Sequence, residues 1–202
     1  MKKLRLGAII LALAAVIAVS LASCGKKQTP ADEGEVIAAA KELLGSAVEV
    51  NRIFFWGGLE YDEATMSSQD LGDAAYAELS GDAKYISQSE LMEKVRSVYT
   101  ESYSDDIEKV AFEGVNVSDD SALLARYVSE GGVMKINVSQ AKNSLPERIP
   151  DTDTVRIADV KDAVGADTAV IAVYAECGGE RSEFTVTLKL EADGWRLDTP
   201  TY

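Results

Sequence analysis

Few residue types in this chain can support covalent catalysis. The sequence has 34 acidic residues, 20 basic residues, two cysteines and no histidine. Without histidine, neither a Cys-His nor a Ser-His pair can activate a nucleophile, and histidine-based zinc sites are excluded as well. We therefore expect a protein that is not an enzyme, with no catalytic residue, no metal and no cofactor.

Carboxylates are the one abundant reactive group, and three pairs stand close together in sequence: Asp105–Asp106, Asp119–Asp120 and Asp151–Asp153. An EF-hand loop starting at Asp151 would need an oxygen ligand at its fifth position and glycine at its sixth. The sequence has Val155 and Arg156 there. Paired carboxylates also serve glycosidases, but so many acids produce such pairs by chance. These pairs therefore predict turns and solvated surface rather than a site.

The first cysteine stands in a pattern typical of bacterial lipoprotein signals. A basic start, Met1–Arg5, precedes the uncharged run 6–21, which is shorter than the roughly 20 residues of a spanning helix. The run ends in Leu21-Ala22-Ser23-Cys24, an aliphatic residue and two small residues before a cysteine. We expect cleavage of residues 1–23 and diacylglyceryl on Cys24.

Two lipid chains would anchor the protein stably on the extracytoplasmic face of the cell membrane, with residues 24–31 as a short polar tether. The alternative is an ordinary signal peptide that contains a cysteine by chance. The second cysteine, Cys177, has no partner for a disulfide and is expected to be a small core or rim residue.

The formal net charge of −14 excludes some ligand classes. It becomes more negative when residues 1–23 are removed, because three cations and no acid leave with them. Such a surface repels nucleic acid and anionic lipid headgroups, and it favours a basic partner or cations. Solubility alone would also explain most of this charge.

Hydrophobic periodicity predicts one α+β domain over residues 32–202. Apolar residues three or four apart indicate a helix from Asp32 to Phe55, with the inner face Val36, Ala40, Leu43, Ala47, Val50 and Phe54. The motif Ser87-Gln88-Ser89-Glu90 predicts a capping box at the start of a second helix, and a third is expected over Tyr103–Phe112. We expect these N-terminal helices to pack on a curved antiparallel sheet in a cystatin-like architecture, as a monomer.

The period changes to two after Asn116, which predicts strands. Extended runs on both sides of Gly131-Gly132 indicate a hairpin, and a loop is expected over Lys142–Asp153. The remaining strands are expected at Thr154–Val160, Thr168–Cys177, Arg181–Leu190 and Gly194–Leu197. Gly178-Gly179 is expected to be the turn between the second and the third of these strands.

Several short motifs occur in an order typical of one family. They are Phe55-Trp56-Gly57-Gly58 at the end of the first helix, Lys84–Ser87 before Glu90–Val95, Ser97–Tyr103, Ala125–Val128 and Gly194–Pro200. Together they resemble the IseA-type inhibitors of DL-endopeptidases and related lipoproteins of Gram-positive bacteria. The resemblance implies a cystatin-like domain that blocks NlpC-type cysteine peptidases, which cut the peptide stems of peptidoglycan. This chain differs from the family in its lipid anchor and its acidic surface.

Inhibition needs a rigid scaffold and a narrow protrusion, and the hairpin tip Glu130-Gly131-Gly132 is the candidate binding site. Glycine permits close approach of the backbone to a partner, and the acid could pair with an imidazolium in a Cys-His site. Alternatively, Gly-Gly is only a turn. Two other functions stay open: a small-molecule cup lined by Tyr85, Tyr99, Tyr174 or Trp195, and a structural role in the cell envelope.

Overall fold

A computed structural model describes residues 29–66, 75–118 and 121–202. In this part of the chain the helices are α1 (Glu33–Phe54), α2 (Gln88–Arg96), α3 (Glu101–Phe112) and α4 (Val138–Lys142). The strands are β1 (Tyr61–Asp62), β2 (Tyr76–Leu79), β3 (Val115–Ser118), β4 (Ser121–Leu123), β5 (Tyr127–Glu130), β6 (Val133–Asn137), β7 (Arg148–Ile157), β8 (Thr168–Cys177), β9 (Glu180–Glu191) and β10 (Gly194–Leu197). A single 3₁₀ turn covers Glu63–Thr65.

The described strands form two larger antiparallel sheets. One has the order β1-β2-β6-β5, the other has the order β10-β9-β8-β7, and β3 pairs with β4 alone. Helix α1 packs mainly against β7 and also contacts β8 and β10. The fold is therefore α+β as predicted, with helices against curled antiparallel sheets, and it is compatible with a cystatin-like arrangement.

Helix α1 forms where the sequence predicts it. The Asp32 side chain accepts a hydrogen bond from the Glu35 backbone N–H at 3.0 Å and so caps the first turn. The apolar stripe from Val36 to Phe54 is buried, and it belongs to the same core as β8, β9 and β10. The capping box at Ser87 and Glu90 is present at the start of α2 as well.

Three buried polar side chains connect α1 to the last residues of the chain by hydrogen bonds. Asn51 Nδ2 donates to Thr201 Oγ1 at 2.8 Å. The Tyr99 hydroxyl lies 3.2 Å from Asn51 Oδ1 and 2.7 Å from Thr201 Oγ1. All three residues are buried, and these mutual bonds offset their desolvation. The adjacent Tyr202 ring stacks on Phe55 with a centroid distance of 3.6 Å.

The structure differs from the predicted elements in several places. Strand β7 begins at Arg148, inside the predicted loop, because Arg148–Asp151 pair with Tyr174–Cys177. Pro150 is tolerated there because β7 is an edge strand, where a missing N–H breaks no ladder. The chain also turns into the short helix α4 directly after β6, where the Asn137 side chain caps Gln140 N at 3.0 Å. Tyr85-Ile86, whose sequence suggests a short extended piece, belongs to no strand.

Candidate functional site

The predicted hairpin tip is present, and its residues are exposed to solvent. Strands β5 and β6 pair up to Glu130 and Val133, which leaves Gly131 and Gly132 as a two-residue turn. Their φ angles are 61° and 86°, the left-handed values that a type I′ turn requires at both central positions. Residues 129–133 are all exposed, and a Cβ added to either glycine would meet nothing within 4 Å. Backbone conformation, not space, therefore selects glycine here.

Glu130 is ionised and held by a neighbour. Its Oε2 lies 2.8 Å from the Nζ of Lys135, while the Glu130 side chain keeps 76% of its surface exposed. The hydrogen bond from Lys135 holds the pKa of Glu130 below its ordinary value. The carboxylate can accept further hydrogen bonds from a partner because the lysine occupies only part of it.

A second glycine tip has the same geometry. Gly178 and Gly179 join β8 to β9 with φ angles of 59° and 85°, and Cys177 pairs with Glu180 beneath them. Residues 178–183 are exposed. The sequence identifies this pair only as a turn, although the signal, Gly-Gly between two extended runs, is the same as at the first tip.

A shallow groove of about 500 Å³ opens beside the C-terminal end of α1. Its lining residues are Arg52, Gly57, Gly58, Leu59, Glu60, Tyr61, Ser80 and Glu147. Arg52 Nη2 lies 3.5 Å from Glu147 Oε2, and both side chains are about half exposed (54% and 48%). This long ion pair is weak, because exposed pairs are screened by solvent.

The end of α1 that forms the groove wall is fixed by a buried arginine. Arg126 is 5% exposed, and its Nε donates to the Ile53 carbonyl at 3.0 Å. Its Nη2 donates to the Trp56 carbonyl. The neighbouring Tyr127 hydroxyl also donates to Ile53 O, at 2.8 Å, and accepts from the Leu59 N–H at 3.3 Å.

No carboxylate forms an ion pair with Arg126 among the residues that the structure describes. Burial lowers the pKa of its guanidinium. The carbonyls at the C-terminal end of α1 compensate, because that end of a helix carries partial negative charge. Arg126 thus acts as a cap for α1, a role that its alternating strand pattern does not predict. The signal was a single arginine within an apolar stretch, Leu123–Val128.

Gly58 packs closely against Arg126 and Ile136. Its φ is 85°, and a Cβ there would lie 2.4 Å from Ile136 Cδ1 and 3.0 Å from Arg126 Nη2. Trp56 is fully buried beside it, as the sequence suggests for a residue that folds back onto the core. The segment from Phe55 to Leu59 is therefore closely packed against Arg126, Tyr127 and Ile136.

The other candidate residues do not meet in one site. Asp151 Oδ2 pairs with Arg181 Nη2 at 2.8 Å, and Asp105 lies 3.6 Å from Arg96. Cys177 is half-buried, with its Sγ 4.0 Å from the Pro146 carbonyl. Residues 1–28, which include Cys24, and Asp119–Asp120 lie outside the described residues. Within the described ranges, no group of three or more Cys, Asp or Glu residues is arranged to hold a metal ion.

The four aromatic residues proposed for a cup are dispersed. Tyr99 is fully buried and hydrogen-bonded, so it cannot line an open pocket. Tyr174 alternates with the buried Val173 and is 39% exposed, so it faces away from the core. Tyr85 and Trp195 pack against the edge of the core. In the described part of the chain, no helix is long and apolar enough to cross a membrane.

The sequence matches no model of a known protein family, and no curated protein is significantly similar to it. The resemblance to IseA-type inhibitors therefore rests on the motifs of the sequence alone.

Replacement of Arg126 by Met should destabilise the fold by about 1–3 kcal/mol, because the buried Trp56 carbonyl loses its donor. Arg52→Met is the control: it removes an exposed arginine from the same end of α1 and should change stability by less than about 0.5 kcal/mol. Urea unfolding of both variants measures the difference. Equal stabilities of Arg126→Met and the wild type would show that the hydrogen bonds of Arg126 contribute nothing to the stability of the fold.

Proposed function

We propose that the protein is a membrane-anchored extracytoplasmic lipoprotein that binds and inhibits a cell-wall DL-endopeptidase of the NlpC type. One observation carries the proposal: a two-glycine tip that is narrow, exposed and fixed in a type I′ turn. Such a tip can enter a cleft with its backbone, because no side chain at its apex widens it. The motif resemblance to IseA-type inhibitors supplies the class of peptidase.

The chemistry of the tip suits a cysteine peptidase. Glu130 stays ionised at neutral pH, since the ion pair with Lys135 lowers its pKa. A carboxylate next to a catalytic Cys-His pair would favour the imidazolium and pair with it. The tip would then block the cleft by occupying it, which requires no reactive group on the inhibitor.

The position of the tip relative to the proposed anchor supports this role. Ala31 N donates to the Gly165 carbonyl at 2.9 Å, so the start of α1 lies near the beginning of β8. Helix α1 has 22 residues, so its other end lies roughly 33 Å away. The groove is at that far end, and so is the base of the hairpin that carries the first tip, because Tyr127 donates to the Ile53 carbonyl. A lipid on Cys24 and a short tether would thus hold the groove and the base of this hairpin away from the membrane, towards the wall.

The competing function is a small-molecule or structural lipoprotein of the envelope without inhibitory activity. The open groove could bind a small ligand, whereas a structural protein would not need a glycine turn. The two functions differ in one property, which is inhibition of a wall peptidase by the isolated domain.

The anchor is tested by Cys24→Ala. We expect this variant to leave the membrane fraction, because no diacylglyceryl group can be attached without the thiol. Fractionation of cells that express each form, followed by mass analysis of the N-terminal peptide, measures the change. If Cys24→Ala stays in the membrane to the same extent as the wild type, the apolar run 6–21 is itself the anchor.

The tip is tested by Gly131→Asn and Glu130→Lys. Asn-Gly is a favoured type I′ turn, so Gly131→Asn adds a side chain to the apex while the hairpin is kept. Proline is unsuitable here, because its ring locks φ near −65° and Gly131 has a φ of 61°. Each variant should raise the inhibition constant against NlpC-type endopeptidases by roughly tenfold, with little change in melting temperature.

Glu42→Lys on the exposed face of α1 is the matched control, since it makes the same charge change away from the tip. It should inhibit like the wild type. Micromolar wild-type protein that neither binds nor inhibits such peptidases would refute the proposed function.

A further inference from the structure

We infer that the second tip, Gly178-Gly179, and the groove form one docking surface with the first tip, for a peptidase whose cleft has a basic rim. The inference rests on the proposed function and extends it, because it names the rest of the contact surface and the charge of the partner. The sequence points only to the first tip.

Strand pairing connects the groove to the hairpin that carries the first tip. In β1, Tyr61 pairs with Leu79 of β2, and Glu78 of β2 pairs with Lys135 of β6. Tyr61 and Ser80, which directly follows β2, line the groove. Strand β6 begins at Val133, directly after the Gly131-Gly132 turn, so β2 joins the groove wall to the hairpin that ends in the first tip.

Register also brings the second tip to the groove, from the other sheet. Arg148 of β7 pairs with Cys177 of β8, the residue before Gly178. Glu147 immediately precedes Arg148, so it lies beside the second turn. Glu147 lines the same groove as Ser80. The strands that carry the two glycine tips thus both connect to this groove, although they belong to different sheets.

The second tip is rigidly supported. Strands β8 and β9 pair without interruption from Thr168–Lys189 to Cys177–Glu180. Beside them, the Arg148 guanidinium lies over the Phe184 ring, 5.3 Å from its centroid, and donates to the Tyr202 carbonyl at 3.1 Å. A partner that docks on this tip would not have to order it, which lowers the entropic cost of binding.

Contact area requires more than one tip. A stable protein interface buries roughly 800 Å² on each partner and draws on about 20–30 residues a side. The first tip offers only the exposed residues 129–133. The groove lining and residues 178–183 are the neighbouring exposed surface that can supply the remainder.

The charge of this surface selects a basic partner. Glu60 at the groove and Glu180 at the second tip are exposed, and neither forms an ion pair with the described residues. Two nearby cations are paired with carboxylates: Arg181 lies 2.8 Å from Asp151, and Arg52 lies 3.5 Å from Glu147. A third cation, Arg148, lies over the Phe184 ring and donates to the Tyr202 carbonyl. The excess of carboxylates would attract basic side chains at the mouth of a cleft and speed association at low salt.

The test measures binding of the full mature chain to purified NlpC-type endopeptidases with basic catalytic domains. The variants are Gly178→Asn, which adds a side chain to the second tip as a type I′ Asn-Gly turn, and Glu60→Lys, which inverts a charge at the groove. Each should weaken binding by roughly tenfold without a change in melting temperature. Glu60→Lys should also reduce the salt dependence of the association rate.

Glu42→Lys is again the control and should bind within about twofold of the wild type. If Gly178→Asn and Glu60→Lys bind like the wild type while Gly131→Asn binds weakly, this inference is overturned and the proposed function stands. If the wild type binds none of these peptidases, the proposed function fails and the inference fails with it.

Discussion

The structure depends on how the backbone carbonyls at the C-terminal end of α1 find hydrogen-bond donors inside the protein. The last carbonyls of a helix have no partner within it, and burying them unpaired is costly. Here the guanidinium of Arg126, directly before β5, and the hydroxyl of Tyr127, the first residue of β5, donate to the Ile53 carbonyl. The short segment Arg126-Tyr127 therefore fixes where α1 ends. One turn earlier, Asn51 joins the same end to Tyr99 and Thr201.

The hydrogen bonds of Arg126 and Tyr127 connect the end of α1 to the candidate docking surface. Because Arg126 donates to the Trp56 carbonyl and Gly58 packs on Ile136, the groove wall is directly attached to the β5–β6 hairpin. The first glycine tip is the far end of that same hairpin. The arrangement gives a firm base to a tip whose apex touches nothing, which suits a surface that docks as a preformed shape.

Much of this fold follows from local sequence signals. The stripe from Val36 to Phe54, the capping box at Ser87 and the two Gly-Gly turns each have a short-range cause, and the sequence predicts them all. The start of β7 at Arg148 could not be predicted, because it depends on pairing with Cys177 and a proline interrupts the pattern. The role of Arg126 was also missed, since its partners lie about 70 residues away in the chain.

The candidate site also has one part that the sequence predicts and another part that it does not. Glu130, Gly131 and Gly132 were found from the hairpin pattern, and their left-handed φ angles follow from the turn type. The proximity to the groove and to Gly178-Gly179 that we infer cannot be predicted from the sequence, because it depends on the register of two separate sheets. Sequence periodicity predicts strands but not which strand ends meet.

The most direct measurement of the central claim is hydrogen–deuterium exchange of the mature protein, alone and with an NlpC-type endopeptidase. The account predicts slower exchange at Gly131–Val133, at Gly57–Glu60 and at Gly178–Glu180 in the complex, and unchanged exchange at the start of α1. Protection centred on α2 or on the first turns of α1, with the glycine tips unaffected, would contradict it.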